Sequence, residues 1–440
     1  MSGRGKGARR HGAALPQAMS RRHAAARFDD PLERALDDWP RVGRAAPQRP
    51  PPHPRRVQGR RVESRRPQGR GAHRRRAPSL RVRLRRIFAF TLLILVSVVT
   101  ISFTSAMNAP SNSPFGVRAV EWLRDNGAAW LVSDVEAFYY SWNAPSAGGP
   151  GLRALPHVGA GAVVTGSSYA PPPIAPVIAP ALPGEGQWHG TGPLVAGAPP
   201  VLVTTFRPDP NYPQMVAGVA WIDSSRAWLQ LYPGRYEPPE ASGAAAEVPP
   251  QLRSGLLAAF NSGFKLEDDG GGFVAFGRVY APLRDGQATL LRYRDGRADV
   301  VTWTGGPRPG ANVEFARQNL PLIVSGGRLN PNLADGPQWG ATLGNAVRVW
   351  RSGVGVDARG NILYAAADNQ TAQSLAEILQ RAGAVRAMEL DINSEWVTFN
   401  FFGGWGAALP QKLLPDMTRD ATRYLTPDDR DFFAVYARRG

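Results

Sequence analysis

Apolar positions follow three regimes along the chain. The first is an unbroken run, IFAFTLLILVSVVTISF, which opens at Ile87 and is followed by uncharged residues up to Met107. About 20 such residues suffice for a helix to cross a bilayer, so residues 87–107 predict a single spanning helix. The second regime has helical spacing. Val120, Leu123, Gly127, Leu131, Val135, Phe138 and Trp142 recur at steps of three and four on one stripe. Residues 108–143 therefore read as an amphipathic helical segment that Gly127 weakens and divides. The third regime begins near residue 199, where short apolar runs end in turn residues. VLVTTF, VAGVAWI and GLLAAFN predict strands, and FVAFGRVYA and ATLLRY lead to Asp295-Gly296, a hairpin turn, and back through ADVVTW.

Later in this region GVGVD and NILYAAAD are predicted to pair across Ala358-Arg359-Gly360. Thr371 to Arg381 predicts a helix with Leu375, Ile378 and Leu379 on one face, Thr371 as its cap and Gly383 as its stop. A strand carrying AMELDINSEW follows. The expected fold class is α+β, a large mixed β-sheet domain over residues 199–440 with a late strand–helix–strand unit. Between it and the helical segment, residues 144–198 are rich in Pro, Gly and Ala and read as a semi-extended spacer holding the domain off the bilayer.

Charge changes the picture at the N-terminus. The formal net charge is +17, but residues 1–86 hold 25 Lys and Arg against 6 Asp and Glu, so the rest of the chain is close to neutral. Such a segment cannot bury enough apolar surface to order itself. It is expected to be a disordered basic cytoplasmic tail touching anionic lipid headgroups, with no specific nucleic-acid partner. Arg81, Arg83, Arg85 and Arg86 directly precede the apolar run, which places the N-terminus inside and the C-terminal domain outside the cell membrane. A cleaved signal peptide is the competing reading. The long basic leader and the lack of a small-x-small cleavage site argue against it.

Several chemistries drop out. The chain has no cysteine, and its six histidines fall at 11, 23, 53, 73, 157 and 189, none in the domain after residue 199. Disulfides, thiolates, serine–histidine triads and histidine-bound zinc are thereby excluded from the domain itself, unless His157 or His189 folds back onto it. Acid–base work falls to carboxylates and anion recognition to arginine. Gly270, Gly271 and Gly272 lead into a strand rather than a helix, so they read as a turn. Asp391, Asn393 and Glu395 resemble the start of a calcium loop, but Trp396 stands where an EF-hand requires glycine. No cofactor is expected, a divalent cation held in another way being the one alternative.

Topology then gathers the remaining acids. If Asp357 pairs with Asn361, Arg351 lies opposite Ala367, close to Asp368 and Asn369. The strand–helix–strand unit makes its two strands run the same way, and ligands in such sheets bind beyond the strands' carboxyl ends. Arg351, Asn369, Asp391 and Asn393 should then share one rim, with Glu389 about 7 Å from Asp391 along the same face. The bland alternative is that these acids pair with Arg386 or other arginines on a wet sheet face.

AFNSGF with Asn261, RSGVGVD with Arg351, Ser352 and Gly353, and SLAEILQRAGAVRAMELDINSEW with Asp391 resemble, in this order, three motifs of the phosphodiester glycosidase domain family. The resemblance covers residues 200–440. It implies cleavage of a sugar from a phosphodiester at the anomeric carbon, with a carbohydrate or sugar-phosphate substrate. Arg351 would bind the phosphate, Asp391 would serve as base or nucleophile, and Glu389 as second carboxylate. Asn261, Asn369, Asn393, Ser352 and Asp368 would hold the substrate. The expected function is that of a membrane-anchored extracytoplasmic hydrolase acting on cell-envelope glycans. The alternative is a non-catalytic glycan-binding or scaffolding protein with the same fold. One departure stands out: the family's glycine-rich strand end is replaced by Ile392-Asn393-Ser394-Glu395-Trp396, which is expected to reshape the pocket.

Overall fold

The computed structural model describes residues 79–438, apart from 133, 136–145, 160, 162, 165–168, 240–245, 270 and 341–347. All of these fall within one unit, Arg75–Gly440. The expected tail and its lipid contacts lie at residues 1–78, outside the described residues, as does the end of the apolar stripe at Phe138 and Trp142.

Helix α1 (Leu80–Asn108) is 29 residues long, about 43 Å at 1.5 Å per residue. Among the described residues it is the one helix long and apolar enough to cross a membrane. It starts seven residues before the apolar run because arginine propagates a helix well. Its polar side chains are answered internally. The Ser97, Thr100 and Thr104 hydroxyls donate to carbonyls four residues back, each at 2.8 Å. Helix α2 (Phe115–Leu123) follows and breaks where expected, since Gly127 takes φ +83° inside the loosened turn Arg124–Ala128.

The strands are β1 (His189–Gly190), β2 (Val201–Phe206), β3 (Ala217–Ile222), β4 (Ala227–Tyr232) and β5 (Leu256–Asn261), then short helix α3 (Leu266–Asp269). Next come β6 (Phe273–Ala275), β7 (Arg278–Ala281), β8 (Ala288–Tyr293), β9 (Ala298–Thr302), β10 (Val313–Asn319), β11 (Val324–Ser325) and β12 (Arg328–Leu329). The chain continues through β13 (Val349–Asp357), β14 (Ile362–Gln370), helix α4 (Ala372–Arg381), β15 (Ala384–Glu389), β16 (Phe399–Gly404), β17 (Ala408–Lys412) and β18 (Phe432–Ala437). They form an eight-stranded sheet in the order β1-β2-β3-β14-β13-β15-β11-β12 and two five-stranded sheets, β7-β6-β10-β8-β9 and β17-β16-β5-β18-β4.

The hairpin register is as expected, with Arg351 opposite Ala367 and the Asp357 amide donating to Asn361 O at 3.0 Å. One correction concerns adjacency. β14 and β15 do run the same way, but β13 lies between them and pairs antiparallel with both. The sheet around the unit is antiparallel rather than mixed. The α4 boundaries also follow the expectation: Thr371 and Ser374 form a reciprocal cap, and Gly383 ends the helix at φ +101°.

Both faces of the large sheet are buried, which is why its strands read as nearly continuous apolar runs. Val201, Val203, Tyr364, Val354 and Met388 face a core shared with the other sheets. Leu202, Trp221 and Leu363 face α4 through Leu375 and Leu379. Gly353 permits this packing, because a Cβ there would lie 2.9 Å from both Leu379 Cδ1 and Met388 O. The expected spacer also contributes. Ile174 and Trp188 are buried in the α4-side core, and β1 pairs with β2, so these residues cover the outer face of β2 and β3 instead of standing off from it.

Asn261, at the end of β5, knots the sheets together. Its Oδ1 accepts from the Tyr364 hydroxyl at 2.8 Å and the Thr398 amide at 3.0 Å. Its Nδ2 donates to Ser262 O at 2.9 Å and Ser352 Oγ at 3.0 Å. We predict that Asn261→Ala, by stranding these buried partners, lowers stability by about 3 kcal/mol. A reduced urea midpoint with an unchanged slope would register it.

Candidate functional site

Asp391 lies just beyond β15, and its backbone is fixed on three sides. Its amide donates to Ser262 O at 3.1 Å, its carbonyl accepts from Ser352 Oγ at 2.7 Å, and the preceding Leu390 amide donates to Ser352 O at 2.8 Å. The side chain bridges two segments. Oδ1 accepts from the Asn393 amide at 2.9 Å, and Oδ2 accepts from Arg430 Nη2 at 2.9 Å. Burial raises the Asp391 pKa above the ordinary carboxylate value, against the pull of Arg430 and the Asn393 amide.

The other expected residues fall into groups. Asn261, Ser352 and Asn393 join Asp391 in one hydrogen-bonded cluster. Asn393 is used locally: Oδ1 accepts from the Glu395 amide at 2.9 Å, and its carbonyl accepts from the Trp396 amide at 2.8 Å. Arg351 and Glu389 are both buried and pair at 2.5 Å. Burial pushes the Glu389 carboxyl up to about 6, partly offset by Arg351. Asp368 and Asn369 sit at the end of β14, where Asn369 adopts φ +56°. Asn369 Nδ2 donates to Asp368 Oδ2 at 2.9 Å. Burial raises Asp368 to about 6, with the Asp416 charge adding to it. Gln370 connects this pair to Arg351: its side-chain amide donates to Asp368 O at 2.8 Å, and its carbonyl accepts from Arg351 Nε at 3.0 Å.

The guanidinium of Arg351 does not face Asp391. Nε is held by Gln370 O, and Nη1 by Trp339 O at 2.8 Å and by Glu389. An expected phosphate-binding arginine is thus clamped by a buried acid and two carbonyls, and Arg430 takes the place opposite Asp391.

Arg430 in turn opens onto a cavity of about 340 Å³, lined among others by Glu237, Lys265, Trp396, Glu121 and Ala106. None of the expected site residues lines it. Arg430 Nη2 also donates to Gly263 O at 3.1 Å, while its buried Nε has no hydrogen-bond partner. Its guanidinium lies 5.3 Å from the Trp396 ring, which Arg419 and Arg423 approach at 5.4 and 5.2 Å. Lys265 Nζ meets Glu121 at 2.6 Å. Burial alone would raise Glu121, but Lys265 holds it below the usual carboxylate range.

Glu237 is the residue that sequence reading missed. It is buried, its Oε1 accepts from the Leu266 amide at 2.9 Å, and burial raises its pKa to about 7 against the pull of Arg430. Nothing in the surrounding YEPPE marks it. For Arg430 there was a signal: the run DDRD directly before the apolar strand FFAVYA, where so many charges can enter a core only if paired. Among the described residues no group of three or more histidine, cysteine or acidic side chains could hold a metal ion.

Residues 254–391 match the family model for phosphodiester glycosidase. The resemblance carried by AFNSGF, RSGVGVD and MELD is borne out over that stretch, which contains Asn261, Arg351, Glu389 and Asp391. Glu237, Trp396 and Arg430 lie outside it. Among solved structures, the chain is similar to the zebrafish N-acetylglucosamine-1-phosphodiester alpha-N-acetylglucosaminidase catalytic domain auto-inhibited by its pro-peptide. Identity is 15%, coverage 56% of this chain and 85% of that chain, and the TM-score 0.38. A hypothetical protein from Synechocystis is similar at 12% identity, with 56% and 64% covered and a TM-score of 0.34. The family match carries the weight; likenesses at these scores carry none. No curated protein matches the chain.

The Arg351–Glu389 geometry makes its own prediction. Arg351→Leu leaves a buried carboxylate unpaired and should cost about 3–5 kcal/mol. The double variant Arg351→Leu with Glu389→Leu should recover most of it, as read from thermal melts of the two proteins.

Proposed function

We propose that this chain is a hydrolase that cleaves a sugar from a phosphodiester at the anomeric carbon. The observation that carries the reading is a guanidinium, Arg430, placed between a fixed carboxylate, Asp391, and a cavity holding the neutral-range carboxyl of Glu237. Arg430 and Lys265 bind the phosphate. Asp391 lies behind Arg430 and off the cavity lining, so it serves as base when Arg430 turns to the phosphate and water reaches its Oδ2. Glu237, protonated below about pH 7, donates to the departing phosphate oxygen. A phosphate leaves with little help from an acid, so a cavity lining without histidine is no obstacle.

In this reading Arg351 and Glu389 support the strand end that carries Asp391, and Asn261 and Ser352 fix its backbone. Asn393, Asn369 and Asp368 lie off the cavity lining and take no substrate in this reading. Helix α1 anchors the chain in the cell membrane, with the N-terminus cytoplasmic and the domain outside, facing envelope glycans. Support comes from its length, its exposed apolar surface and the arginines at its start.

The test is release of free sugar from a panel of sugar-1-phosphodiesters, UDP-sugars among them, by the full chain in detergent. Asp391→Asn should lower kcat by about 10²–10⁴-fold. Wild-type turnover should fall as pH rises through about 7, where Glu237 loses its proton, and Glu237→Gln should abolish that limb of the profile. Saturable binding with no release of sugar from any of the panel would instead identify a glycan-binding scaffold.

A further inference from the structure

The cavity's place in the fold narrows the class of substrate. Ala106, in the last turn of α1, lines the same cavity as Glu237, Lys265 and Arg430. The helix end is locked there from both sides. Arg118 Nη2 donates to Ala106 O at 2.9 Å and Ala109 O at 2.7 Å, with Met107 O a third acceptor. Trp122 Nε1 donates to Ser102 Oγ at 3.0 Å, and its ring stands edge-on to Phe103 at 5.1 Å. Just downstream, the Ser111 and Ser113 hydroxyls donate to Asp429 Oδ2 at 2.6 and 2.7 Å. Arg419 Nη2 donates to Asn112 Oδ1 at 2.6 Å. The connection between the apolar helix and the domain therefore has no slack.

If α1 spans a bilayer, this cavity opens at the level of the lipid headgroups. Phe115, 65% exposed, stands edge-on to Phe103 near the helix end, and Trp130, 67% exposed a little further along the chain, is of a type enriched in that layer. A volume of about 340 Å³ suits a sugar phosphate and leaves no room for a long chain. The Glu121 carboxylate on Lys265 marks where an anionic oxygen is held.

We infer that the phosphodiester is the headgroup of an amphiphile: one ester substituent is the sugar, and the other is a long apolar chain that stays in the bilayer beside α1. This rests on the hydrolase reading and on α1 as the membrane anchor. Extracting a long chain into water costs free energy for every methylene, so an enzyme for such a substrate must bring its site to the membrane surface. In the reaction, the water oxygen bonds to the anomeric carbon and its proton passes to a carboxylate. The carbon–oxygen bond to phosphate breaks with its electron pair going to the phosphate. Free sugar leaves, and the lipid phosphate monoester stays in the membrane.

The full chain is reconstituted in phosphatidylcholine vesicles and given phytanyl or ethyl diesters of the same panel of hexose-1-phosphates. The expected result is a kcat/KM at least about tenfold higher for the phytanyl diester, with Ala106→Phe bringing the ratio toward one. Equal rates on the two diesters would overturn the amphiphile while leaving the hydrolase in place. If neither diester is cleaved, the hydrolase reading fails, and tryptophan fluorescence then decides the amphiphile. Saturable quenching by phytanyl but not ethyl diester supports it, and equal or absent quenching overturns it.

Discussion

Arg430 and Asp391 meet at 2.9 Å with both side chains buried, and much of the C-terminal architecture serves that contact. A buried carboxylate must be answered by a cation or give up its charge. Here the cation comes from a loop 39 positions downstream, and that loop must itself be pinned. Asp428 does so by accepting the Arg430 amide at 2.9 Å and the fork of Arg423 at 2.6 and 3.0 Å. Arg423 reaches back to Trp396 O at 2.8 Å and Thr398 Oγ1 at 2.7 Å. A single acid at a strand end thus orders the segment around Trp396 and the approach to β18.

The same contact separates the carboxyls by role. Asp391 is held next to a positive charge, Glu389 is sealed against Arg351, and Glu237 faces a cavity and accepts from the Leu266 backbone amide. Burial pushes all three upward, Glu389 to about 6 and Glu237 to about 7. Groups whose environments draw their proton affinities apart are what a reaction needing both a donor and an acceptor requires. The arrangement arises without histidine because desolvation, tuned by the distance to a guanidinium, brings an ordinary glutamate into the neutral range.

Local features were legible and long-range partners were not. The β13–β14 register followed from Asp357, Gly360 and Asn361, and the α4 boundaries from Thr371 and Gly383, since turn and cap chemistry acts over a few residues. Asp391 was found because alternation left an acid on a face that should be apolar. Its partner was not, because nothing local chooses among the many arginines of the chain. Arg351 lay near enough in the topology to be the natural choice, yet Glu389, across from Gly353 on the neighbouring strand and so two residues along from Arg351, takes it first. The order β14-β13-β15 was hidden for a related reason: a crossover fixes strand direction but not whether a third strand occupies the gap. The proline-rich segment misled by composition, since Ile174 and Trp188 bury themselves in the core beside β2 and β3 while its described residues form little regular structure beyond β1.

The departure at Ile392–Trp396 bears on whether this site works. Bulk in place of a glycine-rich strand end is expected to narrow or reshape a pocket. In the fold the bulk points elsewhere. Ile392 packs into a small apolar cluster with Phe264 and Val349, and Asn393 turns the chain by accepting the Glu395 amide. Trp396 becomes a wall of the cavity, with its ring beside three guanidiniums. An indole face steadies a cation without neutralising it, and the Trp396 ring stands 5.3 Å from the Arg430 guanidinium. A glycine-rich end could supply neither the wall nor the platform. The cation beside the Trp396 ring is the one that joins the buried acid to the cavity.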